Sequence, residues 1–229
     1  MSGAAASRLR DIHDRLLAAY GPQHWWPGDT AFEIIAGAIL TQSASWKNVE
    51  KALANLRAAG ALSPAGLRSL TEEELAGLIR PSGYYNAKAR KLKAFVALLY
   101  ERFGGDLERM LASPEDELRP ALLATHGIGA ETADSVLLYA ARRPVFVIDA
   151  YTRRTFSRLG LAPEGETYDA WQRLFIHGLP PDAALFNEYH ALIVRHGKDV
   201  CRKQPRCGEC ALNDVCATAR AVVRVQSPG

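Results

Sequence analysis

Two carboxylates and four thiols are the residues in this 229-residue chain whose setting invites chemistry. Asp149 closes an apolar run, Val145-Phe146-Val147-Ile148, and opens a segment carrying Arg153, Arg154 and Arg158. A carboxylate there can stabilise developing positive charge or direct a water. It can equally cap a helix, and the capping N–H bonds favour its ionised form. Glu131 follows the Gly127-Ile128-Gly129 turn by two residues, in the first turn of the next helix, where the helix dipole favours an acid. Helix-end stabilisation therefore accounts for it as well as chemistry does. Cys201, Cys207, Cys210 and Cys216 are spaced C-x5-C-x2-C-x5-C, close enough for four thiolates to surround one metal centre. Tetrahedral zinc sites usually present two C-x2-C knuckles, whereas this run has one. Iron–sulfur clusters accept such asymmetric loops, so the pattern favours iron–sulfur over zinc.

The elements that must position these groups are helical. Gly127 and Gly129 suit a turn that needs positive φ or close backbone approach. A glycine hairpin opening a helix points backbone N–H groups at an anion, most naturally a phosphate. The helix that follows, about Ala130–Ala141 with Thr132 in its first turn, puts Ala133, Val136, Leu137 and Ala140 on one face. Helical patterns also cover residues 7–20, Ala31–Leu40, Lys47–Ala59, Thr71–Ile79, Asn86–Phe103, Pro114–Leu123, Ala150–Leu159, Tyr168–Leu179 and Asn187–His196. Val145–Ile148 is the one strand-like run, so the expected class is all-α. Two loops stand out between helices. Thr41-Gln42-Ser43-Ala44-Ser45 interrupts a buried helix with small polar residues, and its serines suit helix capping. Pro81-Ser82-Gly83-Tyr84-Tyr85-Asn86 presents an aromatic in a glycine-bounded turn, where packing is the ordinary role. Trp25 and Trp26 sit in a loop rich in breakers and read as packing between lobes before base stacking.

The totals describe a globular protein with a core of ordinary size: 48% apolar and 23% charged residues. A net charge of +3 says little alone, but its distribution says more. Lys88, Arg90, Lys91 and Lys93 cluster without an acid, as do Arg195, Lys198, Arg202, Lys203 and Arg206. Such segregation suits one face turned to a polyanion, although scattered solvated surfaces would give the same clusters. The first residues become charged too early for a secretory apolar core, and no apolar run reaches the ~18 residues of a membrane span. A cytoplasmic location is expected, where structural disulfides are rare.

GIGAETADSVLLYA followed by VFVIDAYTRR resembles the helix-hairpin-helix plus Gly/Pro…Asp element of DNA glycosylases of the endonuclease III superfamily, and the resemblance runs from about Tyr20 to Cys216. WWPGDTAFEIIAGAILTQ and DAYTRR are most similar to the branch that includes 3-methyladenine glycosylases. The resemblance implies a two-lobed fold: residues 31–143 as a helical barrel with the hairpin, and residues 1–30 with 144–229 as a second lobe holding a 4Fe–4S cluster on the four cysteines. It further implies a monomer that binds duplex DNA across the cleft, flips a damaged base and hydrolyses its N-glycosidic bond through Asp149. Gln42 or Ser43 would fill the gap left by the flipped base, and Tyr84 would be the wedge between base steps. Gly127, Ile128, Gly129 and Thr132 of the hairpin motif, with Lys88 and Lys198, would face DNA. The superfamily's bifunctional members carry a lysine two residues after the second hairpin glycine, where this chain has Glu131. A Schiff base needs an amine, so a glycosylase without lyase activity is expected. The alternatives are a bifunctional enzyme using a lysine from elsewhere and a DNA-binding module without catalysis.

Overall fold

The computed structural model describes residues 3–220. Among these the chain is helical throughout, with no strand. The expected strand-like run at Val145–Ile148 is corrected: it is buried and extended but pairs with no partner strand. Its apolar side chains answer to a helical core on all sides. The chain divides into two compact units, one spanning Trp26–Arg143 and the other combining the described residues before it with those from Pro144 onward.

The Trp26–Arg143 unit contains helices α2 (Ala31–Leu40), α3 (Trp46–Ala58), α4 (Pro64–Ser69), α5 (Glu72–Leu78), α6 (Tyr85–Phe103), α7 (Leu107–Ala112), α8 (Glu115–Leu123) and α9 (Ala130–Ser135). Their starts follow local chemistry. Thr30, Ser63, Thr71 and Asp106 each accept a backbone N–H three residues on, and Thr71 with Glu74 completes a capping box. Helix α2 is apolar nearly all round, and Phe32, Ile35, Ile39 and Leu40 are buried with Phe95 and Leu99 of α6. Helix α9 runs on as a π-helical turn, Val136–Ala140, with Val136, Leu137, Leu138 and Tyr139 buried. It is thus buried on more than the single face that the sequence periodicity implies. Arg119 of α8 forms a two-pronged ion pair with the fully buried Asp134 of α9, at 2.7 and 3.2 Å, which fixes the two helices of the hairpin to each other.

The other unit contains α1 (Gly3–Tyr20), α10 (Ala150–Arg158), α11 (Tyr168–Ile176) and α12 (Ala183–Asp199). Leu9, Ile12 and Leu16 of α1 are buried, and the Tyr189 hydroxyl of α12 donates to the Leu9 carbonyl at 2.7 Å. An aromatic cluster forms the centre. Phe146 stacks on Phe175 with ring centroids 3.9 Å apart, and Phe156, Phe186 and Tyr189 meet them edge-on.

Candidate active site and cysteine centre

Two residues separate the Phe146 anchor from Asp149, and the backbone of this segment is held at two more points. The Gln172 side-chain amide donates to the Phe146 carbonyl at 2.9 Å, and the Ile148 N–H donates to the Tyr168 hydroxyl at 3.2 Å. Asp149 thereby enters α10 as its N-cap: Oδ1 accepts the Thr152 N–H at 2.7 Å, while Oδ2 lies 3.7 Å from Nε2 of His190. The carboxylate stays 12% accessible, so it is positioned by the core yet open at the surface. Burial pushes the His190 imidazole below its ordinary pKa, against the opposing pull of Asp149. Nothing in the sequence marks His190: a single histidine in an amphipathic helix reads as an ordinary residue until α12 is packed beside α10.

In the other unit the hairpin meets the expectation for Gly127 but not for Gly129, which has φ of −89° and open space where a Cβ would stand. Gly127 has φ of +76°, and a Cβ there would stand 2.4 Å from Cγ of Lys91, so the position accepts neither a side chain nor its strain. Gly129 is the N-cap of α9. Two residues of this motif that were expected to face DNA have internal partners. Ile128 is 4% exposed and its N–H donates to the Thr125 carbonyl, so both its side chain and its amide are used internally. Thr132 is buried, and its hydroxyl accepts from Nε2 of Gln42 at 2.9 Å. Glu131 stands exposed on the first turn of α9, where its carbonyl accepts the Ser135 hydroxyl.

The two loops differ in what they present. Gln42 is tied to the hairpin: its amide also donates to the Gly127 carbonyl at 3.2 Å, and the Lys91 ammonium donates to its Oε1. Ser43, the next residue, is exposed with φ of +53°. Tyr84 is 74% exposed with φ of +47°, directly before α6. Both loop tips are thus non-glycine residues in the left-handed region, uncommon away from functional sites.

Lys88, also expected on the DNA-facing surface, points inward. It is buried, and its ammonium donates to the carbonyls of Leu40 at 2.8 Å and Ser82 at 2.7 Å. Its neighbours in the basic cluster are also engaged internally, Lys91 with Gln42 and Lys93 with the carbonyls of Arg68 and Leu70. The cluster reads as a charged face in sequence because most oxygens that accept its hydrogen bonds, those of Leu40, Gln42, Arg68 and Leu70, lie far along the chain. Lys198, Arg202, Lys203 and Arg206 do remain exposed.

All four cysteines are free thiols and line one pocket. Arg158, at the last turn of α10, donates to Sγ of Cys201 at 3.3 Å and to the carbonyls of Arg202 and Lys203. The Leu212 N–H donates to Sγ of Cys210 at 3.4 Å, and Arg154 donates to the carbonyls of Gly197 and Cys201. These two arginines hold the cysteine loop. N–H donors aimed at sulfur suit thiolates. Among the described residues no three His, Cys, Asp or Glu side chains converge tightly enough for a single ion, although four sulfurs share one cavity.

The model of the HhH-GPD superfamily of base excision DNA repair proteins matches residues 36–181. A putative DNA repair glycosylase of Methanocaldococcus jannaschii is 46% identical over 207 residues, covering 90% of this chain and 94% of that protein. Endonuclease III of Escherichia coli is 30% identical, covering 81% of this chain and 82% of its own length. Among solved structures, the 3-methyladenine DNA glycosylase of Helicobacter pylori bound to 1,N6-ethenoadenine is 29% identical with a TM-score of 0.74, covering 85% of this chain and 97% of that one. A trapped endonuclease III–DNA covalent intermediate shares the fold, with a TM-score of 0.81 at 22% identity, over 96% of this chain and 99% of that one. With the helix-hairpin-helix, the capped aspartate after an apolar segment and two helical units in place, the chain belongs to the HhH-GPD superfamily, as a base excision DNA glycosylase of the endonuclease III type.

Proposed function

We propose that this glycosylase is monofunctional: it hydrolyses the N-glycosidic bond of a flipped, damaged base in duplex DNA and leaves the abasic site intact. Cleavage passes through an oxocarbenium-like sugar. Asp149 supplies the negative charge facing that cation and directs the attacking water, its geometry fixed by the Thr152 cap bond. The observation that carries the monofunctional reading is Glu131 at the position where lyase members present an amine, since a carboxylate forms no Schiff base. An alkylated, cationic base is the substrate class we favour, because it needs no acid to activate it for departure. The likeness to the 3-methyladenine glycosylase of Helicobacter pylori supports the same class.

Tyr84 acts as the wedge, supported by its exposure and its strained backbone. Ser43 occupies the adjoining gap, with Gln42 behind it on the hairpin. The cysteine pocket suits a 4Fe–4S cluster, because four sulfurs line it and Arg158 and the Leu212 N–H already donate to two of them. When bound, such a cluster orders the 201–216 loop and its exposed basic residues against phosphate; bond breaking remains with Asp149.

The test is a set of duplexes carrying single defined lesions, assayed with and without alkali. Strand cleavage should appear only after alkali, strongest for alkylated purines, and borohydride added during turnover should trap no protein–DNA adduct. A strong trapped band overturns the monofunctional reading.

A further inference from the structure

Helix α6 opens with a lysine that the proposed reaction does not use. Lys88 is 2% exposed, and its ammonium donates to two backbone carbonyls, Leu40 at 2.8 Å and Ser82 at 2.7 Å. A buried charge is costly unless hydrogen-bonded, and an apolar side chain of the same length would fill the space without that cost. The two carbonyls give the charge a purpose. Leu40 ends α2, and three residues on stands Ser43, exposed with φ of +53°. Ser82 precedes Gly83 and Tyr84, whose φ values are +67° and +47°. Each tip holds a conformation that L residues avoid and that persists only where the surroundings over-determine it. One turn further along α6, Lys91 lies under Gly127 and donates to Gln42, so the same helix also fixes the side chain behind Ser43.

We propose that Lys88 is a positioning residue: its ammonium sets the spacing of the Ser43 and Tyr84 tips so that both enter the duplex as one device. The inference rests on reading Tyr84 as the wedge. Burial, and secondarily the nearby Lys91, lowers the Lys88 pKa to about 8, so at neutral pH it is still protonated and can serve both carbonyls.

The test uses the full chain and a duplex with a tetrahydrofuran abasic analogue flanked by 2-aminopurine, whose fluorescence rises on unstacking. Wild type, Tyr84→Ala, Lys88→Met and the double variant are compared on this duplex and on its undamaged counterpart. Lys88→Met should lower the preference for the abasic duplex roughly tenfold, the scale of one lost base–aromatic stack. It should also quench the 2-aminopurine signal, leave binding to undamaged duplex unchanged, and add little in the Tyr84→Ala background. Wild-type preference and signal in Lys88→Met overturn the proposal, as does an equal loss on both duplexes. If Tyr84→Ala keeps its lesion preference, the wedge reading fails first, whatever Lys88 does. Should Lys88→Met not fold, Lys88→Gln carries the same comparison, because its shorter amide reaches one carbonyl but does not span both.

Discussion

One oxygen of Asp149 receives the Thr152 N–H while the other lies beside the buried His190. Asparagine in this place keeps an oxygen for the cap and nearly the same shape, but removes the charge. Asp149→Asn should therefore keep its melting temperature within a few degrees and its affinity for abasic duplex, while single-turnover excision falls at least about 100-fold. An unchanged rate assigns the reaction to another residue. The helix cap at Asp149 was legible in sequence because an isolated carboxylate follows an apolar run, and the exposed turn at Tyr84 because it sits between a glycine and a helix. The inward partners of Ile128, Thr132 and Lys88 were not legible: Thr125 and Ser82 are reached through local turns, and Gln42 and Leu40 only through tertiary packing.

Among elements, the longer helices were readable from periodicity and caps, with ends displaced by a few residues. The short helices Pro64–Ser69 and Leu107–Ala112 were not, because six residues carry too few periods to register, although Ser63-Pro64 and Asp106 are cap signals that mark both starts. The junction of α2, α6 and the Ser82 turn has a pH signature. Burial and Lys91 take the Lys88 pKa to about 8 from an ordinary 10.5. Between those values the folded chain binds fewer protons at this site than the unfolded chain, so stability rises with pH across that window. Below it the cost of burying the ammonium is present in full. Urea unfolding of wild type and Lys88→Met should show the difference between them flat below pH 8 and moving in favour of wild type from about 8 towards 10.5. A difference that stays constant over that range removes the buried charge from the account.

At the scale of the whole molecule, the comparisons show a DNA glycosylase, and none of its described helices is long and apolar enough to cross a membrane. Protein prepared without oxygen should be brown and contain iron at about four atoms per chain if the cysteine cavity holds the proposed cluster; stoichiometric zinc without iron rules it out. Cys207→Ser should lose the colour and weaken duplex binding, because the exposed Arg202, Lys203 and Arg206 lose their anchor. The cysteine spacing was legible in full, whereas the grip of Arg154 and Arg158 on the loop was not, since only the packed helix shows which way they turn.

The left-handed backbone at Tyr84 sets stability against function. An L residue in that region costs roughly 1–2 kcal/mol, and a side chain 74% exposed recovers little of it by packing. Glycine adopts the conformation freely but gives up roughly 0.5–1 kcal/mol through its freer unfolded chain. Tyr84→Gly should consequently match or exceed wild type by up to about 1 kcal/mol in urea unfolding, while losing its preference for abasic over undamaged duplex. A screen for thermal tolerance alone would thus favour the loss of lesion recognition at this position, and directed stabilisation of the chain has to hold residue 84 fixed.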